Sequence, residues 1–184
     1  MKLYLIATLS AVLMLTGCAG SFSPTIKGSA QEISRARGES LPAGWGTSGM
    51  VITVVHDFSS ELRETSSYVY RAAAEERRDI RVSLASEESS RNLEPEGLAA
   101  LSTSSGCRYV LKPAVKSSTE DRSTLVEVSA QLVDTKSGET IWEGKGVAKG
   151  SHTVTSVFGY HNLSVSKTSL LKEAALQLAK SLPR

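Results

Sequence analysis

The strongest constraint on how this chain folds lies between residues 126 and 149. Val126, Val128, Ala130 and Leu132 alternate with Glu127, Ser129 and Gln131. A period of two is the mark of a strand with one face buried and one face wet. The alternation gives way to Asp134-Thr135-Lys136-Ser137-Gly138, a run of hairpin-turn residues in which Gly138 is free to take a positive φ. A return strand is predicted from Glu139 to Lys149, with Gly144 and Gly146 marking a bulge or the close approach of another backbone. Such a hairpin has one apolar face, so other segments must cover it.

The flanking sequence supplies them. Met50 to Val55 is a nearly continuous β-branched run, as in a strand covered on both faces. Asp57, Ser59 and Ser60 offer helix N-caps, and Leu62, Ser66, Val69 and Ala73 follow at helical spacing. The charged run Glu75-Glu76-Arg77-Arg78 reads as the solvated end of that helix. Ile80 to Leu84 is a second strand. Pro95 suits the first turn of a second helix, which Ser105-Gly106 stops. Tyr109, Leu111, Pro113 and Val115 alternate with Arg108, Lys112 and Lys116, as in a half-buried strand. Residues 151–165 read as a loop dotted with Val154, Val157, Phe158, Tyr160 and Leu163. After Ser166 an amphipathic helix presents Leu170, Leu171, Ala174, Leu178 and Leu182 on one face, opposite Lys172, Gln177 and Lys180, and Pro183 closes it. The predicted order is β-α-β-α-β-β-β-α: an α/β (α+β) fold, a two-layer mixed sheet with helices.

The amino terminus carries a different message. Met1-Lys2 is a short positive region, and Leu3 to Leu15 is apolar apart from Thr8 and Ser10. A transmembrane helix needs about 20 apolar residues, more than this stretch holds. It runs into Leu15-Thr16-Gly17-Cys18-Ala19, which resembles the lipobox cut by the lipoprotein signal peptidase ahead of an acylated cysteine. Residues 1–17 are therefore expected to be a signal peptide and Cys18 the site of lipidation. Each buried methylene contributes about 0.8 kcal/mol, so two or more acyl chains anchor firmly. Ala19 in place of aspartate implies, by resemblance to enterobacterial lipoproteins, an outer-membrane location facing the periplasm. Residues 18–49, rich in Gly, Ser and Pro, read as a lipidated tether averaging roughly 30 Å end to end, with Trp45 able to pin it to the domain. The periplasmic domain then spans residues 50–184.

With Cys18 acylated, Cys107 is the only remaining thiol, so no intramolecular disulfide forms. Cys107 is a reactive nucleophile, a dimer staple, or a small buried hydrophobe at a strand start, the last being the common fate of such a residue. His152, His161 and Asp57 are the residue types that suit zinc, but no compact ligand spacing joins them or His56, so no metal and no cofactor is expected. Ser102-Thr103-Ser104-Ser105 has no neighbouring base, Glu120-Asp121-Arg122 falls at a turn, and no G-x-S-x-G, phosphate-binding loop or H-E-x-x-H occurs. The chain carries 21 Lys and Arg against 19 Asp and Glu. That near balance argues against a nucleic-acid binder, which needs a basic face to displace phosphate counterions.

Two stretches carry a resemblance. Gly106-Cys107-Arg108-Tyr109-Val110-Leu111 matches a G-x-x-Y-V-L strand. Ser137-Gly138-Glu139-Thr140-Ile141-Trp142-Glu143-Gly144-Lys145-Gly146 matches a hairpin of the form S/T-G-E-x-I-W-x-G-K-G. Together they resemble the periplasmic module of the outer-membrane lipoprotein activators of penicillin-binding proteins (the LpoB type), and are similar to the TolB amino-terminal domain and the curli secretion lipoprotein CsgG. The resemblance implies the same α/β arrangement and a non-catalytic accessory or regulatory domain that binds another envelope protein. The alternative is an oligomeric component of a secretion or surface-structure assembly. Trp142, Val157, Phe158 and Tyr160 are the candidate partner-binding residues, since aromatic and apolar side chains dominate binding energy.

Overall fold

A computed structural model describes residues 25–35, 45–55, 62, 64–120, 123–151, 154–156, 159–161 and 165–183. The elements are β1 (Thr25–Arg35), α1 (Trp45–Ser48), β2 (Met50–Ile52), α2 (Thr65–Glu76), β3 (Val82–Leu84), α3 (Pro95–Ser105), β4 (Tyr109–Glu120), β5 (Ser123–Asp134), β6 (Thr140–Ser151), β7 (Val154–Ser156), β8 (Gly159–His161) and α4 (Lys167–Ser181). Six strands form one mixed sheet in the order β1-β6-β5-β4-β2-β3, and β7 and β8 form a separate small hairpin. β2 runs parallel to β3 and β4, while β4, β5, β6 and β1 are successively antiparallel.

The predicted α+β layering is found. The alternation in β5 puts Val126, Val128, Ala130 and Leu132 on the inner face, where each is at most 4 % exposed. There they meet Tyr109 and Leu111 of β4, Trp142 and Ala148 of β6, Val69 and Ala73 of α2, and Leu170, Leu171, Ala174 and Leu178 of α4. Ser166 caps α4, its side chain accepting from the Ser169 N–H at 3.4 Å. α3 lies on the opposite face at the parallel end only. There Leu98 and Leu101 pack on Val51, Val110, Val133 and Cys107, so β2 is buried on both faces as its composition requires.

The glycines of the return strand mark close approach. A Cβ on Gly146 would strike the backbone of α4 at Ala174 and Leu178, and one on Gly144 would strike the Trp142 ring. The tryptophan lies along the strand over Gly144, and the helix packs directly on Gly146. The turn is as predicted, with Gly138 at φ 74°. Asp134 anchors it. Its carboxylate accepts from Arg108 Nε at 3.0 Å and Nη2 at 2.6 Å, and from the Lys136 N–H at 3.0 Å.

Three sequence expectations are corrected. The segment 18–49, read as tether, contains β1, an edge strand paired with β6 from Thr25↔Ser151 to Arg35↔Trp142, so the folded body begins well before Met50. Edge strands tolerate polar residues because one side of the ladder faces solvent, which is why TIKGSAQEISR passed for linker. Trp45 is buried, its Nε1–H donating to the Pro183 carbonyl at 3.2 Å and its ring edge-on to Tyr109 at 4.9 Å. Arg77, expected on a solvated helix end, is 3 % exposed. It donates to the same Pro183 carbonyl and, through Nε and Nη2, to Asp79, and it lies 5.8 Å from the centre of the Trp45 ring. Burying a guanidinium is costly unless its donors are satisfied, and here the carbonyl and carboxylate do so. Lastly, the loop 151–165 includes the β7–β8 hairpin.

Candidate interaction surface

The two faces of the long strands differ sharply. α2 and α4 close the inner face. Beyond the end at Val110 and Val133, which α3 covers, no described element lies over the outer face of β4, β5, β6 and β1, and there side chains are half-buried or exposed. The register arranges that face in rows. Lys27 stands opposite Lys149, and Lys149 opposite Leu125. In the next row Ser29 faces Val147, Val147 faces Glu127, and Glu127 faces Lys116. Gln31, Lys145, Ser129 and Ala114 form a third row, and Glu143, Gln131 and Lys112 a fourth. Lys145 Nζ reaches across to Glu127 of the neighbouring row at 3.2 Å, and Gln131 Nε2 donates to Glu143 within the fourth row at 2.6 Å.

The far end of the face opens into a cleft of about 650 Å³. Ile33, Val55, Leu93 and Pro113 give it apolar walls, with Lys112, Gln131 and Glu143 at its rim. Ile33 is there because of a bulge. The β1–β6 register shifts between Glu32 and Ser34, leaving Ile33 the extra residue and 51 % exposed, and bulges re-aim a side chain in this way. After β2 the chain leaves the sheet and forms another wall. It is fixed by the Val54 N–H donating to Ser90 Oγ at 2.9 Å and the Val55 N–H donating to Ser66 Oγ at 2.8 Å. Apolar walls with a few convergent polar groups suit the side chains of a partner.

The residues singled out from sequence fall elsewhere. Trp142 is wholly buried, with no hydrogen-bond partner for its indole N–H among the described residues, and in this fold it offers no surface to a partner. Tyr160 lies in β8, while Cys18, Val157 and Phe158 lie outside the described residues. Cys107 is 1 % exposed and packs against Val110, Leu98 and Leu101, so of its three readings it takes that of a buried hydrophobe. Tyr109 also buries its hydroxyl without a partner among the described residues, and burial pushes its phenol above the ordinary value. Ile33 and the lysine rows were not singled out. The available signal was period-two spacing of Lys112 with Lys116 and of Lys145 with Lys149, which puts each pair on one strand face.

Among the described residues no group of His, Cys, Asp or Glu is arranged to hold a metal, and no helix is long and apolar enough to cross a membrane. A helix-backed sheet with one open face and a cleft at its end has the build of a binding domain. The chain belongs to the family of the peptidoglycan-synthase activator LpoB, whose model matches residues 51–147, and so has an accessory, regulatory binding role. Its fold is similar to that of PelC from Paraburkholderia phytofirmans, solved as a dodecamer (19 % identity over 86 % of this chain and 100 % of that one, TM-score 0.52). Lower similarities connect it to lipoprotein GNA1162 from Neisseria meningitidis (20 % identity, 60 % and 89 % coverage, TM-score 0.40). They connect it also to the LpoB C-terminal domain from Salmonella enterica (16 % identity, 54 % and 82 % coverage, TM-score 0.36). No curated relative matches the chain.

Proposed function

We propose that this chain is a lipoprotein, cut before Cys18 and anchored by its acyl chains to the outer membrane. There it binds a peptidoglycan synthase through the open face of its sheet and regulates it without catalysing a reaction itself. The family match carries this reading: residues 51–147 run from β2 through most of β6 and so include three of the four strands that build the face. The test is peptidoglycan synthesis by the purified synthase of the same bacterium, with and without the protein. A rate that rises on addition, with saturation, supports the reading. An unchanged rate together with no detectable association overturns it. The anchor is tested separately by the mass of the mature amino-terminal peptide, which should carry acyl chains on Cys18.

A second reading is self-assembly at the membrane, and β1 favours it. Its unpaired side offers the N–H and C=O groups of an eleven-residue edge strand, a template to which another chain can add. Six residues separate Cys18 from Thr25, so the tether spans at most about 25 Å and holds the domain beside its own membrane. The PelC relative of similar fold is a dodecamer. Sedimentation of the detergent-extracted protein separates the readings, since a monomer at high concentration argues against assembly.

A further inference from the structure

We propose that the Lys27–Lys149 end of the open face docks on anionic lipid headgroups of the membrane that holds the chain. The inference rests on the anchoring at Cys18 described above. Lys27 and Lys149 stand directly opposite each other in an antiparallel ladder, and like charges so placed destabilise a sheet. Both are exposed, and neither pairs with a described carboxylate. Lys116 lies in the adjoining row opposite Glu127, also exposed and in no ion pair among the described residues. Counting Lys112 and Lys145, the face carries five lysines against Glu120, Glu127 and Glu143. Glu127 is held by Lys145 and Glu143 takes a hydrogen bond from Gln131, while Glu120 stands in the row next to Lys27 and Lys149 at this same end and offsets only one of the three lysines. The local field around Lys27, Lys149 and Lys116 is therefore positive and calls for an anion.

The position of these lysines points to the bilayer as its source. They lie at the end of the sheet where β1 starts and where β4 turns into β5. Thr25 is seven residues from Cys18, a span of at most about 25 Å. Half-buried Leu125 and Val147 separate the charges with aliphatic surface, so the patch is flat, basic and partly apolar. The cleft lies at the opposite end of the face, away from the membrane and open to a partner.

The test uses the protein extracted from cells and reconstituted through its own anchor into vesicles of phosphatidylcholine, alone or mixed with phosphatidylglycerol. Lysine acetylation by an N-hydroxysuccinimide ester is followed residue by residue. In the anionic vesicles Lys27 and Lys149 should react about fivefold more slowly, which corresponds to roughly 1 kcal/mol per lysine near an anionic surface. Lys136 in the distant turn and Lys180 at the end of α4 should not change. Equal rates in both vesicles overturn the proposal, as does equal slowing at Lys136 and Lys180. Slowing in neutral vesicles that grows with protein concentration assigns the face to a second copy. Slowing produced in neutral vesicles by inorganic phosphate alone assigns it to a free anion. Should the amino terminus prove unacylated, the anchoring reading fails independently. Flotation of the same chain with anionic but not neutral vesicles, lost in the double variant Lys27→Glu and Lys149→Glu, then decides the face by itself.

Discussion

β5 presents two chemistries at once. On its inner side Val126, Val128, Ala130 and Leu132 are sealed beneath α2 and α4. On its outer side Leu125, Glu127, Ser129 and Gln131 remain partly open. A strand has no choice about alternation, but whether both faces are covered depends on how many helices the chain supplies. Here the helices cover the centre of one face and the other only where α3 sits. The inner face keeps the fold, and the rest of the outer face stays open to solvent.

The contrast can be broken most forcefully by the same truncation on both sides of β5. Leu132→Ala, on the inner face, should cost about 2–5 kcal/mol through lost burial and a residual cavity. Leu125→Ala, on the outer face, should cost under about 1 kcal/mol. Urea unfolding of the two variants reads the difference, and equal losses would mean that the outer face is also core.

A smaller effect is expected where the faces meet, at the root of the hairpin. Burial pushes the Asp134 carboxyl up, but the Arg108 hydrogen bonds, the Lys136 N–H and the charges of both outweigh it and hold the group below its ordinary value. A carboxyl lowered in the folded state contributes stability above its unfolded pKa of about 3.9 and loses it as pH falls through the folded value. Arg108→Met should therefore cost roughly 2 kcal/mol near neutral pH, since a nearly buried carboxylate is left without its partner. Its deficit against the native protein should shrink as the pH falls below about 4. Thermal melting across that range checks both, and a constant deficit would show that the arginine acts by packing alone.

The smallest effect has the opposite sign. Lys149→Glu turns a like-charge cross-strand pair into an opposite-charge one and should stabilise the fold by about 0.5 kcal/mol. The same change should weaken association with anionic vesicles. A variant that is firmer yet poorer at its work would sharpen the division between faces, whereas a variant that is destabilised would show that the two lysines do not repel.

Most of the covered face could be read from the sequence. Period-two spacing gave β5 and its return strand, the turn residues gave the hairpin, and Leu170 to Leu178 gave α4, because burial leaves apolar residues at fixed intervals. The open face was hard to read for the same reason. Ser129 or Lys149 looks like any solvated residue until register shows its neighbours across the ladder. β1 has only Ile26, Ala30 and Ile33 as apolar residues, and Ile33 owes its place to a bulge that no local pattern announces. Arg77 shares its charged neighbourhood with three exposed or half-exposed residues, and only the distant Trp45 and Pro183 explain its burial. Trp142 failed as a partner residue because an aromatic at an inner position is claimed by the core first.

The central claim is that the open face and its cleft form the working surface. Ala114 is exposed and lines the cleft, whereas Ala99 is exposed on α3, away from it. Synthase stimulation should therefore be measured with Ala114→Trp and with Ala99→Trp, each checked for an unchanged melting temperature. The structure predicts that the first variant folds normally yet loses stimulation while the second retains it. Full stimulation by a folded Ala114→Trp protein would contradict the assignment.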